Sequence, residues 1–338
     1  MGEKKTYNVG IDLALFRNRL EFTAEWYKNT SEDLLYAVPV PEQAGVSNTT
    51  VTMNAASMNN SGFEFSATYR NRDHDFKYEV SANLSTLRNR VTSLGFGTDS
   101  YISGSYITKV GEEIGQFYGW VYEGIARTQE VLDNHATQEG AQIGDCLYKD
   151  VNNDGKVDSE DQVVLGSGMP KINFGLNARF EYKRFDLSIA TFGALNYHVS
   201  DDIYNSLNSC YGWGNKEVGM LDANRFSEDG STYLSNVPRT YVTNSASLGW
   251  NDLFSSRKIQ NAAYWKIANV ELGYNFPDKW FDKYVSDVRF YISAQNLHTF
   301  TGYHGYNVDY AGGTFTPGYN FCSYPTARTF MCGVHFTF

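Results

Sequence analysis

The sequence predicts an all-β fold, an antiparallel transmembrane β-barrel to which the chain contributes about nine to ten strands. Three observations support this prediction. Apolar and polar residues alternate over stretches of about ten residues, which is longer than a usual soluble strand and matches the length needed to cross a bilayer at a tilt. The connections between these stretches are alternately short and very long. With 25 Tyr and 22 Phe among 338 residues, the composition also favours strands over helices.

The first four predicted strands each place apolar residues at every second position. They are Tyr7 to Leu15, Leu20 to Trp26, Phe63 to Tyr69 and Phe76 to Leu84. Between the apolar residues lie polar ones such as Glu64, Ser66 and Thr68. A barrel in lipid turns the apolar face outward and the polar face to a wet lumen, although a soluble sandwich gives the same alternation.

The later predicted strands repeat this pattern up to the last residue. They are Phe174 to Tyr182, Phe185 to Thr191, Ala268 to Phe276, Val288 to Ala294 and Phe330 to Phe338. Short links join some strands and very long ones join others. The short links are 17–19, 71–75 and 183–184, and the long ones are 30–59, 88–170, 198–262 and 298–326. Tight periplasmic turns alternating with long outer loops are typical of outer-membrane barrels.

Composition and charge exclude several other classes. The net charge of -10 comes without a basic stripe, so no nucleic-acid partner is expected. No run of eighteen apolar residues could form a transmembrane helix. The start MGEKKTYNVG resembles no secretory signal, and about nine strands cannot close an even-numbered barrel. We therefore expect the chain to be the C-terminal part of a longer outer-membrane protein. The four cysteines, at 146, 210, 322 and 332, allow three disulfide pairings if oxidised.

The segment DVNNDGKVDSEDQ (150–162) spaces oxygen-bearing side chains as a calcium loop does, with a sharp turn at Gly155. The predicted ligands are Asp150, Asn152, Asp154, Lys156 through its carbonyl, Asp158 and Asp161. The last position is not the glutamate of an EF-hand, and no helix is predicted before the loop, so an EF-hand pair is not expected. A solvated acidic turn without metal is the alternative interpretation.

Several segments, taken in order, resemble the C-terminal half of SusC/RagA-type TonB-linked outer-membrane transporters. They are WYKNTSEDLLYAVPVP (26–41) with NNSGFEFSATYR (59–70), VGEEIGQFYGWVYEGIARTQEVL (110–132), GSGMPKINFGLNARFEYKRFDLSIATFGALNY (166–197), AYWKIANVELGYNFPDKW, VRFYISAQNLHTFTGYHGYNVDY and YPTARTFMCGVHFTF. The resemblance implies a barrel of about 22 strands, with 1–338 as its C-terminal portion, 88–170 as a long outer loop that carries the calcium-loop-like segment 150–161, and the plug domain absent.

The resemblance also implies function and partners. It implies import of oligosaccharides or peptides across the outer membrane, with a SusD-like surface lipoprotein as lid and energy from the TonB complex acting on the missing plug. It implies a transporter and not an enzyme, inserted into outer-membrane lipid by the barrel-assembly machinery. This chain alone is not expected to transport. The alternative is a secreted soluble glycan-binding β-sandwich with a dockerin-like calcium loop, although dockerins carry two such loops.

Three further sets of aromatic residues carry predictions. Five in the expected outer loops are candidates for ligand or partner contact, against ordinary loop packing: Tyr118, Trp120, Tyr211, Trp213 and Trp250. The link 277–287, with Trp280, Phe281 and Tyr284, is predicted to lie at the membrane interface. Phe338 ends an alternating aromatic strand and resembles the signal that hands barrels to the assembly machinery.

Overall fold

The computed structural model describes residues 2–39, 50–95, 97–210, 215–240, 246–277, 287–309, 312–321 and 323–337, and these residues are mostly in strands. The strands are β1 (Glu3–Leu15), β2 (Leu20–Pro39), β3 (Thr50–Asn71), β4 (Phe76–Thr86), β5 (Arg88–Ser93), β6 (Ser100–Ser103), β7 (Tyr106–Lys109), β8 (Gln116–Gly119), β9 (Tyr122–Ile125), β10 (Cys146–Tyr148), β11 (Val163–Ser167), β12 (Ile172–Tyr182), β13 (Phe185–Leu195), β14 (His198–Asp201), β15 (Gln260–Asn261), β16 (Tyr264–Asn275), β17 (Asp287–Thr301), β18 (Tyr319–Asn320) and β19 (Thr329–Thr337). Two short helices are α1 (Gln129–Asp133) and α2 (Asp202–Leu207). Within the described ranges, no helix has the length and apolarity needed to cross a membrane.

One long antiparallel sheet forms the body of the molecule. Its strands follow in the order β1-β2-β3-β4-β12-β13-β16-β17-β19, with β5 added to β3. Neighbours in this sheet are also consecutive long strands of the sequence, so the sheet is an up-and-down meander. The nine long strands that the alternation predicts are all present, and the antiparallel membrane-barrel fold is confirmed.

The short connections gather at one end of this sheet. Residues Phe16, Arg17 and Asn18 turn with φ of 56°, 58° and 63°, which is the left-handed region that most residues avoid. A two-residue turn joins β12 to β13, with Lys183 at φ 54°. The turn 72–75 joins β3 to β4. All three short links predicted from the sequence are therefore correct, and they define the periplasmic end by the usual barrel rule.

The predicted long loop over residues 30–59 is wrong in its extent. β2 continues to Pro39 and β3 begins at Thr50, and the two stay paired along this length with register shifts near Leu34. Alternation fades there because Asn29, Thr30 and Asn60 put polar groups on both faces. Beyond the lipid both faces of a hairpin meet water, so only the backbone ladder identifies the strand.

The two faces of the sheet differ in polarity, as the strand register shows. One row across β3, β4, β12 and β16 contains Phe65, Leu84, Phe174 and Trp265. We call the face of the sheet that carries this row the outward face. Many of its apolar side chains are exposed, for example Val9 at 66% and Ile11 at 61%. The opposite, inner face carries mainly polar and charged residues. Burial of the outward face therefore requires a non-aqueous environment.

Irregular pairing near Ala268 shifts the outward face within β16. Thr191 pairs with Ile267, whereas Ala190 pairs with Asn269, so Ala268 is skipped. Trp265 and Ile267 consequently take outward positions, and Lys266 lies on the inner face beside Phe192. An unbroken alternation counted back from Ala268 would have placed Lys266 in lipid.

Aromatic rings cluster on the outward face near the periplasmic turns. Phe76 lies 6.5 Å from Tyr182 between ring centroids, Phe185 lies 4.8 Å from Tyr274, and Tyr274 lies 5.1 Å from Phe276. Such a girdle is expected at a membrane interface. The interfacial segment predicted at 277–287 falls, apart from its two end residues, outside the described residues.

Candidate functional site

Three long connections converge above the end of the sheet opposite the short turns. They comprise the described parts of 87–171, 196–263 and 302–328, which we call the outer layer. The hydrophobic clusters of the described residues are centred in this layer: one contains Val91, Leu94 and Ile114, a second Tyr197, Val199 and Tyr303, and a third Cys146, Tyr148 and Val157. The connection 87–171 itself holds β5 to β11 and α1. The outer layer is thus a packed structure and not a set of loose loops.

The connections approach one another closely through glycines. A Cβ on Gly168 would lie 2.0 Å from the Pro317 carbonyl oxygen, and one on Gly119 would lie 2.2 Å from that of Phe254. These contacts join the first connection to the third and to the second. A side chain at either position would force the backbones apart.

A buried ion pair also links the first and second connections. Asp145 is fully buried, and Arg239 donates to both of its carboxylate oxygens, at 3.0 and 2.9 Å. Asn251 Nδ2 donates to Asp145 Oδ1 at 2.8 Å, and the Gln142 backbone N–H donates to Oδ2 at 2.9 Å. Every oxygen of the buried carboxylate is therefore satisfied, which is the condition for a buried pair to be tolerated.

A second buried polar group joins the second and third connections. The Tyr303 hydroxyl donates to Asp201 Oδ2 and accepts a hydrogen bond of 2.8 Å from Asn320 Nδ2. All three residues are buried. Burial and the neighbouring carboxylate raise the pKa of Tyr303, so its hydroxyl keeps the proton it donates.

Two of the five aromatic candidates meet in the third hydrophobic cluster. The ring of Tyr148 lies 6.5 Å from Trp120 and 6.2 Å from Trp250. Trp120 Nε1 donates to the Asp158 carbonyl at 2.9 Å, and Trp250 Nε1 donates to the Glu139 carbonyl at 2.8 Å. Both indoles thus have packing partners within the outer layer.

The other aromatic candidates lie elsewhere. Tyr118 is half-buried in β8, opposite Val164 of β11. Tyr211 and Trp213 lie outside the described residues, as does Phe338. Contact of these residues with a ligand, a partner or the assembly machinery stays a prediction.

The calcium-loop-like segment has a compact fold maintained by its own backbone. Asp150 accepts hydrogen bonds from the N–H groups of Asn153 and Gly155, at 2.6 and 2.9 Å. Asp161 is buried and accepts three, from Val151, Asn152 and Asp158. Burial raises the pKa of Asp161, and these three hydrogen bonds outweigh it, so the pKa is lowered overall.

Other predicted ligands in this loop also serve nearby amides. Asp154 accepts from Lys156 N–H at 2.9 Å, Asn152 from Asp154 N–H at 3.0 Å, and Asp158 from Glu160 N–H at 2.8 Å. Among the described residues, no group of three His, Cys, Asp or Glu side chains is arranged to hold a metal ion. Such a loop needs no metal to form, and calcium binding stays a prediction.

Two cysteines of the outer layer are inaccessible thiols. Burial raises the pKa of Cys146 to about 11 and that of Cys210 to about 12. Both are free, and Cys332 is free and exposed on the outward face of β19. A thiol that stays protonated is a poor nucleophile, so Cys146 and Cys210 act here as small core residues.

The inner face of the sheet carries cross-strand ion pairs. Arg70 donates to Glu21 at 2.8 Å, which links β3 to β2. Arg289 in β17 donates to Asp186 in β13 at 3.0 Å and to Glu271 in β16 at 2.8 Å. Paired charges of this kind need a polar environment around them. The inner face is therefore suited to a wet lumen.

The residues that tie the outer layer together were not identified from the sequence. Asp145 and Arg239 are 94 positions apart, and neither belongs to a motif. Asp201, Tyr303 and Asn320 are equally dispersed along the chain. Only the fold brings these groups together.

An antiparallel sheet with an apolar outward face, a polar inner face and an elaborate layer at one end defines an outer-membrane β-barrel protein. No family model matches the sequence. The sequence is 31% identical to TonB-dependent receptor P3 of Formosa agariphila over 353 residues, covering 99% of this chain and 34% of that protein. It is 25% identical to TonB-dependent receptor SusC of Bacteroides thetaiotaomicron, covering 98% and 32%.

A solved structure described as the RagAB peptide transporter matches with a TM-score of 0.80 at 22% identity, covering 99% of this chain and 35% of that one. This likeness shows the fold. The resemblance found in the sequence is confirmed: over nearly its whole length the chain is similar to TonB-dependent receptors, SusC among them. It spans about a third of the length of the curated relatives that it matches.

Proposed function

We propose that this chain forms part of the wall and outer mouth of a TonB-energised importer in the outer membrane. The observation that carries this proposal is the single long sheet whose outward face is apolar and exposed while its inner face is paired and charged. Lipid on one side and a wet lumen on the other account for both faces. The similarity to TonB-dependent receptors supports the same role.

A surface lipoprotein of the SusD kind is the proposed partner, and an oligosaccharide or a peptide is the proposed cargo. The packed outer layer supports this, because hydrogen bonds and glycine contacts between its three connections give a partner a firm surface at the mouth. The proposed importer also needs a plug on which the TonB complex acts. We therefore propose transport for the complete receptor.

The soluble glycan-binding sandwich finds no support. A sandwich buries the apolar face of one sheet against a second sheet. In the described residues, the outward face of the long sheet has no second sheet against it, and its apolar side chains stay exposed.

Cysteine labelling in intact cells tests the membrane orientation. In a background with Cys322→Ser and Cys332→Ser, a Glu228→Cys variant places a thiol in the outer layer and a His74→Cys variant places one in a short turn; both positions are exposed. We expect a membrane-impermeant maleimide to label the first variant in intact cells and the second only after permeabilisation. Equal labelling of both, or the reverse order, would contradict the orientation.

Growth assays test the cargo. A strain lacking the whole receptor gene, grown on single oligosaccharides or on peptide mixtures, should lose growth on one class and recover it on complementation. Complementation in cells without a functional TonB complex should fail. Unchanged growth on every source of both classes would count against import of either one.

A further inference from the structure

A groove of about 520 Å³ crosses the outward face of the sheet. Its outward-facing lining consists of alanine, leucine, isoleucine and phenylalanine side chains from β2, β3, β4, β12 and β13, and Ser66, Asn83 and Gly175 of the inner face also border it. Ala67 and Ala82 lie opposite each other in the register of β3 and β4 and form its floor. All of its outward-facing side chains are hydrocarbon. The groove therefore suits an extended hydrocarbon chain and nothing polar.

The groove exists because two small residues stand where the surrounding outward positions hold large ones. In the same row, Phe22 on β2 pairs with Ala67, and Leu176 on β12 pairs with Ala82. These larger side chains form the two sides. Phe174 leans away from the floor toward β13, where a Cβ on Gly193 would lie 2.5 Å from its ring.

Basic residues occupy the same outward face toward the outer layer. β5 continues the register of β4 along β3, so Arg88 and Arg90 are in phase with Leu84 and Ala82. Lys28 on β2 pairs with Ser61, the residue that also pairs with Arg88. One basic cluster, Lys28, Arg88 and Arg90, thus flanks β3 from both sides.

This basic cluster has no acidic partner in the part of the chain that the structure describes, where none of its members forms an ion pair. Arg88 and Arg90 are exposed, while Asn89 between them is buried. Asn89 Nδ2 donates to Asn60 at 2.6 Å, and its Oδ1 accepts from Ile114 N–H at 3.0 Å. The anchored Asn89 keeps its two neighbours directed to the other, outward side.

The groove lies at the depth of the acyl chains of the bilayer, and the basic cluster lies at the level of the lipid headgroups. Arg88 is four residues from Leu84 along one continuous ladder, which is about 13 Å of strand. The periplasmic aromatic rings lie at the opposite end of the groove, so the basic cluster is at the outer water interface. Cations at that level attract anionic headgroups.

We propose that this face binds one phosphate-bearing lipid of the outer leaflet, with its phosphate at Lys28, Arg88 and Arg90 and an acyl chain in the groove. A free phosphate ion would contact the three cations and leave the groove empty. A lipid uses both. The site lies on the outer wall of the barrel, separate from the lumen and from the mouth through which cargo passes.

Native mass spectrometry of the whole receptor, purified from its own outer membrane in mild detergent, tests the proposal. We expect the wild-type protein to retain one phosphate-bearing lipid. Arg88→Gln with Arg90→Gln should reduce the retained fraction about tenfold, since each lost cation weakens headgroup attraction. Ala67→Leu with Ala82→Leu fills the groove and should reduce it as well, with both cations intact.

The matched control is Arg17→Gln with Lys183→Gln, which removes two exposed cations at the periplasmic turns and should leave retention unchanged. Added inorganic phosphate should not displace the lipid. Wild-type protein without retained lipid would overturn the proposal, as would equal loss in the control. A stable dimer of receptors that disappears in the groove variant would instead assign this face to a second copy.

Discussion

Asp145 shows how much of the outer layer depends on one carboxylate. It has no exposed surface and accepts hydrogen bonds from Arg239, Asn251 and the Gln142 backbone. We expect Asp145→Asn to destabilise the layer by about 3 kcal/mol, the lower end for a broken buried pair, because the half-buried Arg239 would lose its counter-charge.

Limited proteolysis of the receptor across a denaturant series measures this effect. Asp229→Asn is the control, since Asp229 is exposed and bonds only to serines of its own turn. Equal protection of the Asp145→Asn variant and the wild type would show that the ion pair contributes little.

The calcium prediction depends on charge within 150–161. Asp154→Asn keeps an oxygen that can accept the Lys156 N–H, now at 2.9 Å, but removes one negative charge. If the loop binds calcium, this variant should bind it more weakly in isothermal titration, and calcium should protect the wild-type loop from protease. Identical proteolysis in calcium and in chelator would leave the loop a hydrogen-bonded acidic turn.

Adjacent residues of β12 belong to different environments, which gives a test at the level of one strand. Leu176 is on the outward face and 43% exposed, and Asn177 is on the inner face. Leu176→Arg should cost about 2–4 kcal/mol if the outward face meets lipid near the bilayer midplane, and Asn177→Arg far less. Denaturant titration of the refolded receptor in lipid vesicles compares the two. Equal costs would argue against a lipid-facing side.

The placement of β14 against β11 should depend on pH. Burial lowers the pKa of His198 from 6.5, and a Cβ on Gly166 would lie 2.7 Å from its Nδ1. As pH falls, His198 therefore takes up a proton in the unfolded strand before it does so in the folded one. Its contribution to the free energy of unfolding is complete above pH 6.5 and is lost as pH falls through the lower pKa of the folded state.

Hydrogen exchange of β14 amides at about pH 7.5 and about pH 5.5 follows this change. We expect weaker protection at the lower pH, and less pH dependence in His198→Gln than in the wild type. An unchanged pH dependence in that variant would assign the effect to other groups.

Elements that alternate strictly could be predicted from the sequence, and irregular ones could not. The predicted strand from Phe76 begins where β4 begins, and the one from Phe174 begins two residues after the start of β12, since period two is a local property. The shift in the alternation near Ala268 could not be predicted, because the pairing with the partner strand decides whether a residue is skipped. The outer parts of β2 and β3 escaped because their side chains no longer separate lipid from water.

For the whole molecule, the sequence was informative about the barrel and much less so about its outer layer. Lipid requires every strand to place apolar residues on its outward face, and this alternation can be recognised in each strand separately. The residues of the outer layer follow no such alternation. Its contacts, such as Gly168 with Pro317 and Asp145 with Arg239, join residues far apart in sequence. The order of segments revealed the resemblance to TonB-dependent receptors, but it could not identify these partners.

The length of the β2–β3 hairpin sets how far the mouth stands from the surface charge of the membrane. β2 has 20 residues, which at about 3.3 Å each and a tilt of about 45° rise about 47 Å, against an apolar band of about 25 Å. This side of the mouth therefore stands roughly 20 Å clear of the lipid. The Debye length at physiological ionic strength is about 8 Å. A charged molecule that approaches this part of the mouth is thus screened from the headgroup potential and experiences chiefly the field of the protein itself.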